Sequence, residues 1–369
     1  MILPVCFSRE WIREQANALK SRDVRNLEKC VLALELVGRL KKAGLEFIFK
    51  GGTSLLLLTD QPRRLSIDVD ILCLESQEKL EEVLDKVVGE PFLGWEHQEH
   101  RDREAPPTRH FRVVYESAFD GATGQAIQLD VIVAESPYAA LESRAIQPGF
   151  IEVDEEVSVL LPSPSSLLGD KIAAFAPSTI GFPYQPLVAS TGEPSEQRPI
   201  KVVKHLFDIS VLAGMAGNIA ETEGTYRAVH AEQVKYRALD CGLAEALEDT
   251  QDAAFWVSRV DGRPPEENEK TVFFRKGIRS LDSHLFSEPF QIAQARNAAG
   301  IAALVASALK RGETTLDLPA FVASEPNPED LRWAKLDAPW ENLNRLKQTD
   351  PVAFACWIKA QDLESPPAS

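Results

Sequence analysis

Two aspartates interrupt an apolar run in RLSIDVDIL, residues 64–72. Alternate residues of a strand share a face, so a strand over 66–73 would present Ser66, Asp68 and Asp70 on one side. Two carboxylates this close repel each other, and a divalent cation is the usual way in which proteins stabilise such a pair. A pair of aspartates at a solvent-exposed strand end is the alternative, which the spacing alone leaves open.

A third aspartate occurs in a similar setting. In AIQLDVIVA, residues 126–134, Asp130 alternates with apolar residues as in a half-buried strand. If the two strands are neighbours, Asp130 joins Asp68 and Asp70 in one site for Mg²⁺ or Mn²⁺, ions that prefer carboxylate oxygens and substrate phosphates. A pairing with an arginine, or a cap on a nearby loop, is the alternative role for Asp130.

A paired glycine lies just upstream of the two aspartates, between a predicted strand and a predicted helix. Gly51 and Gly52 let the backbone approach a ligand closely, and the free amides of a helix N-terminus bind phosphate. The hydroxyls of Thr53 and Ser54 add further donors. Most glycine pairs mark ordinary turns, and the sequence contains no Walker, GxGxxG or EF-hand pattern.

Together, the glycine turn and the three aspartates suit nucleotidyl transfer from an NTP. Two metal ions would hold the triphosphate and stabilise the in-line displacement, while Asp130 would position or deprotonate the attacking hydroxyl. The Asp-x-Asp site of a glycosyltransferase is an alternative, which the glycine turn directly upstream fits poorly.

The same residues resemble the first motif of the AbiEii/AbiGii toxins, polymerase-β-like nucleotidyltransferases of bacterial abortive-infection and toxin–antitoxin systems. The family motif is a Lys-Gly-Gly-Thr turn followed by an Arg-x-Ser-x-Asp-x-Asp strand, and its positions here are Lys50, Gly51, Gly52, Thr53, Arg64, Ser66, Asp68 and Asp70. The resemblance implies that the nucleotide is bound by Lys50, Gly51, Gly52, Thr53, Ser54, Ser66 and Lys171.

Two later segments resemble further motifs of that family. In SSLLGDKIAAF, Lys171 stands at the position of a family lysine, and in KHLFDIS, Asp208 is the acidic residue while His205 replaces a usual aspartate. From the residues alone, Lys171 would extend to solvent and Asp208 would pair with Lys204 on a helix surface. The resemblance instead implies that Lys171 reaches the triphosphate and that Asp208 orients the triphosphate or the acceptor.

The predicted elements, together with the resemblance, give an α+β fold in which a mixed nucleotidyltransferase-like sheet flanked by helices precedes a mainly α-helical domain. Strands are predicted at 45–50, 66–73, 93–98, 108–117, 125–134 and 157–161. Helices are predicted at 26–43, 53–59 and 77–88, from Ser163 to about Phe175, and along most of the chain beyond residue 200.

The predicted domain boundaries follow from these elements. We expect a catalytic domain over 1–175, a proline-rich connecting loop over 176–200, a helical domain over 201–360 and a flexible tail over 361–369. The helical domain is expected to complete the active site and is a candidate for binding the acceptor.

The composition and charge of the chain limit the kinds of partner that the protein can bind. The 369-residue chain has a formal net charge of −16, which argues against a general coat protein for nucleic acid. Its local basic clusters are Arg198, Lys201 and Lys204, and Arg275, Lys276 and Arg279. Five scattered cysteines indicate reduced thiols, and the sequence shows neither a signal peptide nor an apolar stretch long enough for a bilayer. We therefore expect a cytoplasmic protein without membrane association.

The resemblance implies a Mg²⁺-dependent toxin that transfers NMP from an NTP to the 3′ end of tRNA, inhibits translation and growth, acts in phage defence and has a cognate antitoxin encoded nearby. One alternative keeps the site and changes the acceptor to a protein or a small molecule such as an antibiotic. Another is a non-catalytic protein that binds a nucleotide or a partner. The sequence leaves open the preferred NTP, the acceptor and the oligomeric state. It also leaves open the existence and mode of action of an antitoxin and the role of the C-terminal helical region.

Overall fold

The structure, a computed structural model, describes residues 1–98, 108–119, 124–187, 192–261, 268–286 and 288–365. By its internal contacts the chain forms two compact units, each built from discontinuous segments. Unit 1 comprises Met1–Ser136, Leu141–Pro162 and Asp282–Pro289. Unit 2 comprises Pro137–Ala140, Ser163–Leu281 and Phe290–Ser369.

Within the described residues, unit 1 contains one seven-stranded mixed sheet with the strand order β3-β4-β5-β2-β1-β7-β6. The strands are β1 (Ile48–Lys50), β2 (Val69–Leu72), β3 (Phe92–Gln98), β4 (Thr108–Tyr115), β5 (Gln125–Ile132), β6 (Leu141–Ala145) and β7 (Ser158–Pro162). Strand β2 runs parallel to β5 and antiparallel to β1, which in turn runs parallel to β7. The α+β class and the mixed sheet predicted from the sequence are confirmed.

The helices of unit 1 cover this sheet with apolar side chains. They are α1 (Arg9–Ala18), α2 (Val24–Lys42), the single turn α3 (Gly51–Ser54) and α4 (Gln77–Val87). Helix α2 begins where the Asp23 carboxylate accepts hydrogen bonds from two backbone amides, and its last turn carries three basic residues that match the helix dipole. Most of α2 is buried, which makes it the central helix of this core.

Several predicted elements differ from those observed. The strand predicted at 66–73 begins only at Val69, and the helix predicted at 53–59 is a single α turn followed by a 3-10 turn, Leu55–Leu57. Strand β6 and helix α1 were not predicted from the sequence. The sequence LESRA of β6 is mostly exposed at the edge of the sheet, so it lacks the apolar alternation that indicates a strand.

Unit 2 is helical in its described part. It contains α5 (Pro164–Ala174), α6 (Pro199–Ala213), α7 (Ile219–Tyr236), α8 (Leu243–Ser258), α9 (Glu269–Leu281), α10 (Ile292–Arg311), α11 (Leu318–Ala323), α12 (Pro328–Trp333), α13 (Leu346–Thr349) and α14 (Pro351–Glu364). Helix α10 packs against α6, α8 and α14. It is long and apolar enough to cross a membrane, but 78% of its most apolar 18-residue window is buried inside the protein, as in a core helix.

Helix α5 belongs to unit 2 by its contacts, whereas the sequence placed it in a first domain ending at residue 175. The reason is its packing. Gly169 has no room for a side chain because the backbone of α7 lies against it at Thr222 and Tyr226. The first residues of the predicted flexible tail, 361–364, are helical, since α14 continues to Glu364. Residues 366–369 lie outside the described part of the chain.

Candidate active site

The glycine turn follows directly from the end of β1. Gly51 has a φ of +78°, a backbone conformation that is strained for any residue with a side chain. In addition, a Cβ at this position would collide with Oδ2 of Asp70. Two constraints therefore require glycine at this position. Its missing side chain lets the Asp70 carboxylate lie directly against the backbone of the turn.

The second glycine is backed by the segment that leads to the aspartates. A Cβ on Gly52 would collide with the guanidinium of Arg64 and would lie 2.9 Å from Oγ of Ser66. Arg64 is buried, with 5% of its surface exposed, and its Nη1 donates to the carbonyl of Leu65 at 3.1 Å. The motif arginine thus lies behind the turn and supports it.

The two hydroxyls predicted to bind phosphate donate hydrogen bonds within the protein. Thr53 Oγ1 donates to the backbone carbonyl of Asp68, and Ser54 Oγ donates to the carbonyl of Gly51 at 2.9 Å. Both residues are fully buried. In this structure they fix the shape of the turn and its distance from Asp68, which favours a positioning role for them.

A segment from late in the chain forms hydrogen bonds with the residues that precede Asp68. The amide of Leu65 donates to the carbonyl of His284 at 2.6 Å, and the amide of Phe286 donates to the carbonyl of Arg63 at 3.0 Å. Arg63 also pairs with Glu288 at 2.9 Å. The strand β2 begins only at Val69, so Ser66 and Asp68 precede it. The prediction that they share one strand face with Asp70 is therefore wrong.

The central feature of the site is a row of side chains in register across the sheet. Asp70 on β2 pairs with Lys50 on β1 and with Asp130 on β5, and Asp130 pairs with His110 on β4. Paired residues of neighbouring strands point to the same face. The structure therefore places Asp130 beside Asp70, with Lys50 and an unpredicted histidine in the same row, whereas Asp68 precedes the strand.

Asp130 lies beside this unpredicted histidine at hydrogen-bond distance. His110 Nδ1 is 2.6 Å from Asp130 Oδ1, and Gln128 Nε2 lies 3.5 Å from the same oxygen. The sequence TRHFRVVY alternates polar and apolar residues, so His110 reads like any residue on a solvated strand face. What distinguishes His110 is its register opposite Asp130, and this register is known only once the strands are paired.

The carboxylates have the right chemistry for a hard cation, since Asp70 and Asp130 are register partners and Asp68 lies exposed two residues upstream. In the part of the chain that the structure describes, however, no group of three or more His, Cys, Asp or Glu side chains is arranged to hold a metal ion. The arrangement thus provides two adjacent carboxylates, with Asp68 nearby, while one oxygen of Asp130 is engaged by His110.

Lys171 and Asp208 lie in unit 2 as neighbours on α5 and α6. Lys171 Nζ is 3.6 Å from Asp208 Oδ2, and their side chains are 4% and 0% exposed. Lys171 therefore does not extend to solvent and Asp208 is not a surface residue, so the exposure expected from the residues alone is wrong for both. Burying both charges is stable only when they compensate each other, which makes this pair a built feature of the helical unit.

Two carboxylates in register beside a glycine turn on a mixed sheet form the site of a nucleotidyltransferase, the class to which this protein belongs. The family model described as "Nucleotidyl transferase AbiEii toxin, Type IV TA system" matches residues 36–298 of the 369. The chain therefore belongs to the AbiEii family, as the sequence motifs indicated. Membership in a type IV toxin–antitoxin family implies an NTP substrate and a cognate antitoxin.

Solved structures similar to this chain include two nucleotidyltransferases. A candidate nucleotidyltransferase from H. pylori is 16% identical, with a TM-score of 0.41, and the match covers 78% of this chain and 96% of that one. MenT4, a nucleotidyltransferase toxin from Mycobacterium tuberculosis H37Rv, is 15% identical, with a TM-score of 0.46 and coverages of 80% and 98%. No curated protein matches the sequence.

Proposed function

We propose that this nucleotidyltransferase toxin transfers a nucleoside monophosphate from an NTP to the 3′ end of tRNA, releases pyrophosphate and thereby stops translation and growth. The observation that supports the transfer chemistry best is the paired register of Asp70 and Asp130 beside the turn at Gly51. Neighbouring strands lie about 4.8 Å apart, so cations between these carboxylates would also be close to a phosphate on the turn.

Asp68, Asp70 and Asp130 would hold Mg²⁺ or Mn²⁺, which would neutralise the triphosphate and activate the attacking hydroxyl. Lys50 is half-buried and in register with Asp70, so its amine is placed to balance phosphate charge at the turn. The backbone amides of Gly51 and Gly52, with Ser66, would complete the nucleotide contacts.

Lys171 would contact the triphosphate, and Asp208 would act by holding the amine of Lys171. Two observations support this division. The two groups are 3.6 Å apart, and Asp208 is fully buried, so it is better placed to orient a neighbour than to touch a macromolecular acceptor. The resemblance had left open whether Asp208 orients the triphosphate or the acceptor.

The acceptor assignment is supported by a basic surface on unit 2. Helices α6 and α9 pack closely, since a Cβ on Gly277 would lie only 2.6 Å from Cγ2 of Val203. Cations on or next to these helices are exposed although the chain as a whole carries −16. We propose that the exposed ones act as one surface, which we call the α6/α9 basic face: Arg198, Lys201, Lys276 and Arg279. A face of this kind binds phosphodiester backbones.

The main test incubates the purified protein with Mg²⁺ or Mn²⁺, bulk tRNA and each labelled NTP in turn. We expect labelled tRNA from the wild type and a loss on the order of 10³-fold or more in Asp68→Ala/Asp70→Ala. The matched control is Glu82→Ala/Asp85→Ala, which removes two exposed acids of α4 and should label normally. Unlabelled tRNA in the wild type, or label that survives loss of both aspartates, would overturn the proposal.

The acceptor face has its own test. Lys276→Glu/Arg279→Glu should raise the KM for tRNA and lower the salt dependence of tRNA binding by about two phosphate contacts, with the KM for NTP unchanged. Lys86→Glu, an exposed charge reversal on α4 of unit 1, is the control. Equal effects of the two changes would exclude the α6/α9 basic face as the tRNA site.

Growth and adduct measurements decide among the remaining acceptors. Expression of the wild type should stop growth, and Asp68→Ala/Asp70→Ala should not. If tRNA stays unlabelled, mass spectrometry of an expressing lysate for NMP adducts identifies a protein or small-molecule acceptor. Toxicity that survives the double change would point to a non-catalytic binding protein.

A further inference from the structure

His110 is the member of the row across the sheet that the sequence analysis did not predict. It lies on β4, and its Nδ1 is 2.6 Å from Oδ1 of Asp130, its register partner on β5. The side chains are 24% and 31% exposed, so both are partly removed from water. A hydrogen bond of this length to a carboxylate is short and strong.

The neighbours of His110 extend this contact into a small polar network. Gln128 Nε2 donates to Gln98 Oε1 at 3.2 Å and lies 3.5 Å from the same oxygen of Asp130 that His110 contacts. Gln98 is also the register partner of His110 on β3. On this side of Asp130 the sheet therefore presents hydrogen-bonding groups, and on the other side it presents Asp70.

In this arrangement one carboxylate oxygen of Asp130 accepts a hydrogen bond and the other is available to a cation. Oδ1 is taken by His110, which leaves Oδ2 for a cation shared with Asp70. Without a partner on Oδ1, the carboxylate of Asp130 would be free to rotate about its terminal torsion, which is broad in energy. Carboxylate ligands of metals are commonly oriented by such outer hydrogen bonds, and removing the partner weakens metal binding or activity about 10–100-fold.

We infer that His110 is a positioning residue that fixes the orientation of Asp130 as a ligand for a divalent cation. The inference rests on the proposed role of Asp130 in metal binding and does not depend on the identity of the acceptor. His110 acts through Asp130 by donating its Nδ1 hydrogen to Oδ1.

The test measures Mn²⁺ binding without nucleotide, by the electron paramagnetic resonance signal of free Mn²⁺. His110→Leu should weaken Mn²⁺ binding about 10-fold. His110→Asn should stay within about threefold of the wild type, because an asparagine amide replaces the Nδ1 donor. The matched control is Arg112→Leu, which alters the same face of β4 two residues away, where Arg112 pairs with Glu96 at 2.7 Å.

A double-mutant cycle separates positioning from general damage to the sheet. In an Asp130→Asn background, His110→Leu should have no further effect on Mn²⁺ binding, since the ligand that it orients is gone. Four outcomes would each overturn the inference. In the single variants, these are full Mn²⁺ binding by His110→Leu or equal losses in His110→Leu and Arg112→Leu. The other two are losses that multiply in the double variant and an absence of Mn²⁺ binding by the wild type. A wild type that shows the expected pattern but labels no tRNA would refute only the proposed acceptor.

Discussion

Oδ2 of Asp70 occupies the space that a side chain on Gly51 would need. The absence of a Cβ on Gly51 therefore makes room for the Asp70 carboxylate, and Gly51 has a φ of +78°. A substitution at Gly51 acts on Asp70 without altering any ionisable group. This makes Gly51 a sensitive probe of the site.

We predict that Gly51→Ala abolishes most activity through displacement of Asp70. A misplacement of about 1 Å at a reacting centre costs on the order of 100-fold in rate. The backbone strain of a positive φ adds about 1–3 kcal/mol of destabilisation. Labelling assays and urea unfolding measure the two effects separately.

Gly44→Ala is the control for backbone strain alone. Gly44 has a φ of +88°, and a Cβ there meets nothing within 4 Å. Gly44→Ala should therefore lose stability like Gly51→Ala but keep its activity. Similar activities in the two variants would contradict the close fit of Asp70 against the turn.

The buried ion pair of unit 2 gives a prediction about stability. Lys171→Met and Asp208→Ala each remove one partner of this buried ion pair, so each should lower the free energy of unfolding by about 3–5 kcal/mol. The double variant should lose less than the sum, because neither charge remains. Urea unfolding of the four proteins measures this, and additive losses would contradict a direct pairing.

Asp249 on α8 makes stability depend on pH. Burial raises the pKa of its carboxyl, against hydrogen bonds from the amide of Ser178 at 2.7 Å and the hydroxyl of Thr179 at 2.9 Å. Between an ordinary pKa of about 4 and the raised value, the folded state binds more protons than the unfolded state, so this group lowers stability as pH rises.

We therefore predict that Asp249→Asn becomes more stable relative to the wild type as pH rises from about 4 towards neutrality. The variant keeps an oxygen acceptor, and both hydrogen bonds in the wild type go to the single atom Oδ2. Urea midpoints of both proteins across this range test the prediction. A difference in stability that does not change with pH would refute it.

Cysteine reactivity should be confined to one thiol. Cys6, Cys30, Cys73 and Cys356 are buried, whereas Cys241 is partly exposed. Burial raises the pKa of Cys30 and of Cys356 to about 12, so at pH 8 only about one molecule in 10⁴ carries the reactive thiolate at either position.

We predict one alkylated cysteine in the folded protein at pH 8, at Cys241, and five in urea. The reaction at Cys241 should be slow, because burial and then the charge of Glu245 raise its pKa as well. Mass spectrometry of the wild type and Cys241→Ser measures the sites. Rapid labelling of Cys30 in the folded protein would show that the core around it opens.

Most of the site could be predicted from the sequence because its motif is local. The carboxylates of Asp70 and Asp130 lie on strands whose apolar alternation is clear, and their shared face follows once the strands are neighbours. The turn at Gly51 was similarly recognisable from its residues. What the periodicity could not predict was the strand order, which depends on pairings between distant segments.

The unpredicted features are the ones that depend on those distant pairings. His110 becomes meaningful only through its register with Asp130, and Lys171 is buried because α6 supplies Asp208 beside it. The amide of Leu65, just ahead of β2, donates to the carbonyl of His284, a residue more than two hundred positions away in sequence. No local pattern encodes such a bond.

The segment Asp282–Pro289 has a consequence for dissecting this toxin. It belongs to unit 1, yet it is encoded between two helices of unit 2, and residues 137–140 of unit 2 interrupt unit 1 in the same way. Neither unit is therefore a contiguous stretch of gene. A fragment that ends near residue 175 would lack the backbone that clamps Arg63 and Leu65, so a split or truncated toxin would regain its catalytic geometry only through reassembly of both pieces.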